Sequence, residues 1–242
     1  MRTSNPFSRG NVSGFGPSAA QVAAENQRFI ARVYRWMTLG LGVTAVVAMM
    51  VASTPALAEL VLGNRIVFYG LLIAELAMVW TFSSIAARAS VGVAMALFLS
   101  YAAVNGLTLS AIFLIYTASS IGGAFLVTTG TFGAMSLYGA VTKRDLSSVG
   151  AFAMMGLIGL ILASIVNIFL QSGALGFITS CAGVLIFTLL TAYDTQKLKA
   201  MNVIGNEGTD DDTKEALNGA LVLYLDFVNL FLSLLRLMGS RR

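Results

Sequence analysis

The chain has 242 residues, of which 57% are hydrophobic and 11% charged, with a formal net charge of +4. A soluble domain carries about 25% charged residues, so this composition excludes one and predicts a polytopic membrane protein whose solvent is the bilayer. A single cysteine, Cys181, excludes an internal disulfide, and the absence of histidine excludes an imidazole-ligated zinc, copper or haem site.

Lipid cannot satisfy backbone polar groups, so the crossing segments are helices or a closed barrel. The apolar runs are long and continuous, without the two-residue alternation of barrel strands, which predicts an all-α fold. Residues 1–27 are polar and rich in Gly, Ser and Asn, and no apolar core with a cleavage site marks a signal peptide. They are expected to form a disordered cytoplasmic tail, with the bundle over 28–242. Arg28, Arg32 and Arg35, with Tyr34 and Trp36 as interfacial anchors, precede the first span. Together with Arg2 and Arg9 they favour a cytoplasmic N-terminus.

Seven spans are predicted at about 37–58, 66–86, 90–115, 121–141, 149–171, 174–196 and 216–238. Their short connections predict a bundle in which sequence neighbours pack as spatial neighbours. Small pairs inside the spans, Gly40 with Gly42, Gly130 with Ala134 and Gly156 with Gly159, suit close helix approach. Arg88, then Lys143 and Arg144, then Lys197, Lys199 and Lys214 mark the cytoplasmic ends, and this pattern of end clusters gives no case for nucleic acid. The last span disagrees: a full crossing puts Arg236, Arg241 and Arg242 outside. Either the upstream pattern overrides them, or the segment dips in and returns.

Three carboxylates fall within spans: Glu75, Asp194 and Asp226. An ionised Asp at mid-membrane depth costs roughly 2.5–3.5 kcal/mol on insertion scales, so each needs a partner, water or a proton. On a helix, Glu215, Gly219, Asp226, Asn229 and Ser233 share one side, and that stripe should face protein or water. Asp226 reads either as a buried structural acid bonded to Asn229 or to a hydroxyl from another helix, or as a functional group. Asp194 reads as an interfacial acid paired with Lys197 at i+3 or as a partner for another helix. Glu75 has no basic residue within reach on its own helix. Two carboxylates on facing helices make a pH-sensitive latch, bridged by a shared proton and pushed apart when both are ionised. Oxygen ligands also suit a hard cation such as Ca²⁺. Straight helices within the predicted boundaries would stagger Asp194 and Asp226 by roughly 10 Å, so pairing requires tilt, hydrated access, or an offset of the last helix toward the cytoplasm. Asn105 with Thr108, and Asn167 with Ser164, read as interhelical hydrogen-bonding spots. With no nucleophile–base constellation and no phosphate-cradling Gly loop, the chain does not read as an enzyme.

Several ordered motifs resemble the Bax inhibitor (transmembrane Bax-inhibitor-motif) family in a bacterial form. They are Asn105-Gly106-Leu107-Thr108-Leu109-Ser110, Thr131-Phe132-Gly133-Ala134-Met135-Ser136, Thr142-Lys143-Arg144-Asp145-Leu146-Ser147, Asn167-Ile168-Phe169-Leu170, Tyr193-Asp194-Thr195-Gln196-Lys197 and Leu223-Tyr224-Leu225-Asp226-Phe227-Val228-Asn229-Leu230-Phe231. The resemblance covers about residues 30 to 240. It implies a seven-helix transmembrane bundle with the last helix central and six around it, in a bacterial inner membrane. The implied activity is a pH-sensitive Ca²⁺ leak in which Asp194 and Asp226 form the latch and are transient ligands of the permeant ion. Glu75 matches the acid of span two, and Tyr193, Thr195, Gln196 and Asn229 are the supporting polar residues. No cofactor is implied. Relatives with an Arg cluster after span two stabilise a closed state through it, whereas here Ala86 and Ala87 leave Arg88 alone. Other members resemble regulators of a membrane-bound quality-control protease, which implies a membrane protease as the alternative partner, engaged through the tail and without ion conduction.

Overall fold

In the computed structural model, which describes residues 18–242, the chain is helical almost throughout. The helices are α1 (Ala19–Ser53), α2 (Pro55–Ala58), α3 (Arg65–Arg88), α4 (Val91–Ile115), α5 (Ala118–Val141), α6 (Ser147–Leu170), α7 (Gly173–Met201) and α8 (Asp210–Met238). A single π-helical turn, Glu59–Gly63, joins α2 to α3. Seven of these helices are long and apolar enough to cross a membrane, and they match the seven predicted spans.

Local chemistry moves several boundaries. The expected tail over 1–17 lies outside the described residues, but 19–27 belong to α1. Ser18 starts that helix with a capping box: its hydroxyl accepts the Gln21 N–H at 3.3 Å while Gln21 Oε1 accepts the Ser18 N–H at 2.7 Å. The first span stops at Ser53 rather than 58 because Pro55 forces the preceding Thr54 out of helical geometry (φ −114°, ψ 103°). At the other end of the chain, Thr209 caps α8 by accepting the Asp212 N–H at 3.2 Å. Asp210, Asp211 and Asp212 then occupy its first turn, where the helix dipole favours negative charge.

The last helix is central. Over its most apolar stretch α8 is 56% buried, against 6% for α3 and 11% for α6. It packs on α1, α3, α4, α5 and α7, while α6 leans on α7 instead, so the ring around α8 has five principal members rather than six. Leu217, Ala220, Leu223, Tyr224 and Leu230 of α8 are wholly enclosed. Outward-facing side chains such as Ile73, Leu76 and Trp80 on α3 and Phe169 on α6 are apolar and exposed, the surface that a hydrocarbon solvent requires.

Close approach is set by glycines that the sequence pairs only partly identified. A Cβ on Gly40 would meet Phe98 at 2.8 Å and Tyr224 at 3.4 Å, and one on Gly156 would meet Ile186 at 3.1 Å, but Gly42, Gly130 and Gly159 face open space. The tighter crossings lie elsewhere, at Gly139 against the Ala192 backbone and at Gly150, whose Cβ would sit 2.5 Å from the Tyr193 ring. Both bring neighbours onto α7 at the level of Asp194.

The topology of α8 follows from where its end is held. Arg242 N donates to Ile115 O at 2.9 Å, Thr117 N to Ser240 O at 3.2 Å, and Tyr116 and Arg241 form an antiparallel bridge. Residues 239–242 therefore lie beside the α4–α5 connection, opposite the end where α7 passes into α8. The last segment crosses completely and does not turn back. With the basic loops marking the cytoplasmic end, Arg236, Arg241 and Arg242 are at the outer end.

At the cytoplasmic end, α1 clamps the α7–α8 connection. Arg32 Nη1 lies 2.7 Å from Asp212 Oδ2, an acid only 1% exposed, and that oxygen also accepts the Gly208 N–H at 2.7 Å. Arg28 pairs with Glu207 at 3.0 Å, Gly205 N donates to Glu25 Oε1 at 2.7 Å, and Asn202 Nδ2 donates to Asn26 Oδ1 at 2.9 Å. These contacts explain why α1 extends past its apolar stretch.

Two outcomes test this architecture. A Ser240→Cys variant, with Cys181 replaced by Ser, should react with a membrane-impermeant maleimide from outside the cell, whereas Lys214→Cys should react only after permeabilisation. Arg32→Ala should destabilise the protein by about 3 kcal/mol in thermal unfolding, because it strands a buried carboxylate. Adding Asp212→Ala should recover most of that loss.

Candidate functional site

The acids within the spans fall into two polar clusters on different sides of α8. Asp226 is 5% exposed and faces α7, where the half-buried Asp194 lies within hydrogen-bonding reach of it. The antiparallel register explains how they meet. Gly183 of α7 abuts Ser233 of α8, and Gly219 of α8 abuts Leu198 of α7. That register puts Asp194 about one turn, roughly 5 Å, closer to the cytoplasmic end than Asp226. Relative to the predicted boundaries, α8 is offset toward the cytoplasm, which shortens the expected stagger to a gap that two side chains bridge.

Asp226 Oδ2 is buried without a hydrogen-bond donor among the described residues. Two ionised carboxylates have only acceptors to offer each other. The pair is satisfied when one carboxyl carries a proton, or when a cation lies between them.

Neither single-helix reading of these acids matches the geometry. Asn229 Nδ2 donates to Leu225 O of its own helix at 2.8 Å, and Ser233 Oγ donates to Asn229 O at 2.8 Å, so Asn229 does not partner Asp226. Lys197 makes no ion pair with Asp194 among the described residues; its Nζ lies 5.8 Å from the centre of the Tyr193 ring. It remains the nearby cation whose field acts on Asp194. Arg88 is exposed and also forms no ion pair among the described residues.

The other motif residues brace the pair. Tyr193 lays its ring on Gly150 of α6. Thr195 is fully buried, donating to Thr191 O at 2.7 Å and sharing a 2.9 Å hydrogen bond with Ser136 of α5. Ser136 is hydrogen-bonded in turn to Tyr34 of α1. Gln196 reaches the α5–α6 connection, accepting the Leu146 N–H at 2.9 Å and donating to Arg144 O at 2.8 Å. In that connection, outside the membrane, the hydroxyl and amide of Ser147 both donate to Asp145 and hold its carboxyl below the ordinary range. Asp194 is thus carried by a helix pinned to three others.

Glu75 belongs to the second cluster and does not join the aspartates. Thr108 Oγ1 donates to its Oε1 at 2.6 Å and Asn105 Nδ2 to its Oε2 at 3.3 Å. Asn105 Oδ1 accepts from Tyr224 OH at 2.9 Å, and that hydroxyl is 2.7 Å from Thr44 Oγ1. A continuous chain Glu75–Asn105–Tyr224–Thr44 therefore links α3, α4, α8 and α1. Sequence reasoning found Asn105 and Thr108 but missed Thr44 and Tyr224. Their signal was weak, because a lone Thr or Tyr in an oily helix is usually satisfied within its own turn or at the interface. Asn167 also differs from its expected interhelical role: its oxygen accepts the Ser172 N–H at 3.0 Å, closing the α6–α7 turn. Ser164 donates to Leu160 O within α6 at 2.7 Å.

The fold and these clusters define a class: a polytopic α-helical membrane protein whose central helix presents one acid to a partner acid and a tyrosine to a separate polar chain. The chain belongs to the Bax inhibitor family, matching over residues 26–242 the family described as "Inhibitor of apoptosis-promoting Bax1". It is 51% identical to the inner membrane protein YbhL of Escherichia coli over 226 residues, covering 93% of this chain and 97% of that one. It is 43% identical to an uncharacterized protein of Deinococcus radiodurans over 231 residues (93% and 98% covered). An uncharacterized protein of Borreliella burgdorferi is 41% identical over 215 residues (89% and 93% covered).

Tyr224→Phe should lower stability by about 1 kcal/mol, the scale of an interhelical hydrogen bond in a membrane, read as the thermal unfolding midpoint in detergent. Tyr69→Phe, on the exposed surface of α3, should leave it unchanged.

Proposed function

We propose that the protein is a pH-sensitive cation leak, with Ca²⁺ as the permeant ion and the Asp194–Asp226 pair as its gate. The observation that carries the reading is the juxtaposition of two carboxyls from α7 and α8, one of them with a buried oxygen that no donor among the described residues satisfies. With one proton between them, the pair bridges the two helices. Losing it leaves two like charges in a low-dielectric setting, and their repulsion loosens the α7–α8 contact. The charged groups facing the pair are few. Lys197 acts on Asp194 from its own helix, while Arg88 is exposed at the end of α3. The proton count of the pair is therefore the main variable.

Two carboxylates are far short of the roughly six to eight oxygens that a resident Ca²⁺ collects. A pair suits transient passage, in which a cation replaces the shared proton and moves on with most of its water. In this reading Glu75, held by Thr108 and Asn105, is a further acid that shapes the field along the path, and Thr195 and Gln196 keep α7 in place while the gate works.

The test is Ca²⁺ flux by the purified protein in liposomes across roughly pH 6 to 8. The wild-type leak should rise with pH as the shared proton is lost. Asp194→Asn and Asp226→Asn should each flatten that response, because an amide neither ionises nor shares a proton. If both variants keep wild-type flux and pH dependence, the gate lies elsewhere.

A further inference from the structure

Two arginines at the outer end of the bundle are not used by the aspartate gate. A cavity of about 550 Å³ opens where α6, α7 and α8 end, lined by Asn167, Ser172, Thr179, Ser180, Arg236 and Arg241 among others. Its lining contains no carboxylate, and neither arginine has an ion-pair partner among the described residues. Among the side chains of the described residues Glu59 is the acid at this end of the bundle, and it belongs to the π turn packed on α3 and α4, away from α6. Arg241 is held by the backbone: residues 240–242 bond to Ile115, Thr117 and Ser120, and the Tyr116–Arg241 bridge sets its position beside the cavity.

The rest of the lining suits an anion. Asn167 accepts the Ser172 N–H with its oxygen, which leaves its amide nitrogen as a donor. The amino end of α7, at Gly173, opens onto the same space and adds the positive end of a helix dipole. Around the mouth, Ile168 and Phe177 are exposed and belong to the lipid-facing surface. A guanidinium pair beside an apolar wall at a membrane interface matches a group with a phosphate at one end and acyl chains at the other. Two exposed arginines on the side opposite the basic loops also run against the usual charge bias, and an anion bound in the cavity would offset them.

We propose that this cavity binds the phosphate headgroup of an anionic phospholipid from the outer leaflet, held by Arg236 and Arg241 with Asn167 and the amino end of α7. The lipid thereby ties the outer ends of α6 and α7 to the end of the central helix.

The full chain, purified in detergent, is titrated with phosphatidylglycerol, with phosphatidylcholine of the same acyl chains, and separately with inorganic phosphate. Binding is read by native mass spectrometry and by the thermal unfolding midpoint. Phosphatidylglycerol should bind and stabilise more strongly than phosphatidylcholine, and Arg236→Gln and Arg241→Gln should each weaken it about fivefold, the effect of one basic residue near a membrane surface. Arg241→Lys, which keeps the charge but loses the planar fork, should bind better than Arg241→Gln and more weakly than wild type, and Arg65→Gln, at the same end of the bundle, should keep all of the affinity. Equal binding of the two lipids overturns the proposal, as does equal loss in Arg65→Gln and Arg241→Gln, which would reveal a diffuse surface charge. Inorganic phosphate reproducing the full stabilisation would identify a free-anion site instead, also overturning it. Arg241 lies beyond the end of α8, so its variants report on the site even if Arg236→Gln does not fold.

Discussion

A carboxylate cannot rest in hydrocarbon without a proton or a partner, and the architecture follows from placing one on the last helix. Asp226 is buried because α8 is enclosed by five other helices. The lipid-facing work falls to α3 and α6, which bury little of themselves. The same constraint acts on Glu75, which stays in a largely exposed helix only because Thr108 and Asn105 donate to both of its oxygens. Acids and hydroxyls therefore decide which helix faces are covered, while the apolar residues, equally content in lipid or protein, decide much less.

α8 carries polar contacts in two directions from residues two apart. Tyr224 engages Thr44 and Asn105 on the α1–α4 side, and Asp226 faces Asp194 on the α7 side. The two sides differ in kind. The tyrosine chain is complete, with every polar group matched to a neighbour, and it fixes α8 against α1 and α4. The aspartate side is incomplete unless a proton or cation is added. One face of α8 is thus polar and fully matched, and the other holds an acid that needs a proton or a cation.

The close crossings onto α7 serve the same end. Gly139 and Gly150 let α5 and α6 approach α7 where it carries Ala192 and Tyr193, and Gln196 ties α7 to the connection between those two helices. Asp194 is consequently held from behind, and the element left to respond to its charge is the interface with α8. At the cytoplasmic end, the buried Arg32–Asp212 pair and its neighbouring contacts secure the start of α8 to α1. Movement there is restrained, whereas the α7–α8 contact beside the aspartates carries a buried oxygen without a donor among the described residues.

The sequence by itself determined the solvent, the helix class, the seven crossings and the three acids that needed an explanation, because hydropathy, charge and length are properties of single segments. It also marked Asn105 and Thr108 as a polar spot. It could not choose among partners. Asn229 and Lys197 were the nearest candidates along the chain, yet the bundle paired Asp226 with Asp194 and left Glu75 to α4, because partnership depends on the register of α7 against α8. The glycines show the same limit. Spacing flagged Gly42, Gly130 and Gly159, which face open space, and passed over Gly139 and Gly150, since only the neighbouring helix decides whether a missing side chain matters. The direction of the last crossing was likewise balanced in the sequence between upstream lysines and terminal arginines. Tertiary structure decided it, through backbone hydrogen bonds that hold residues 240–242 against the α4–α5 connection. Local composition fixed which segments enter the membrane, and contacts between distant segments decided where Asp226 finds its partner.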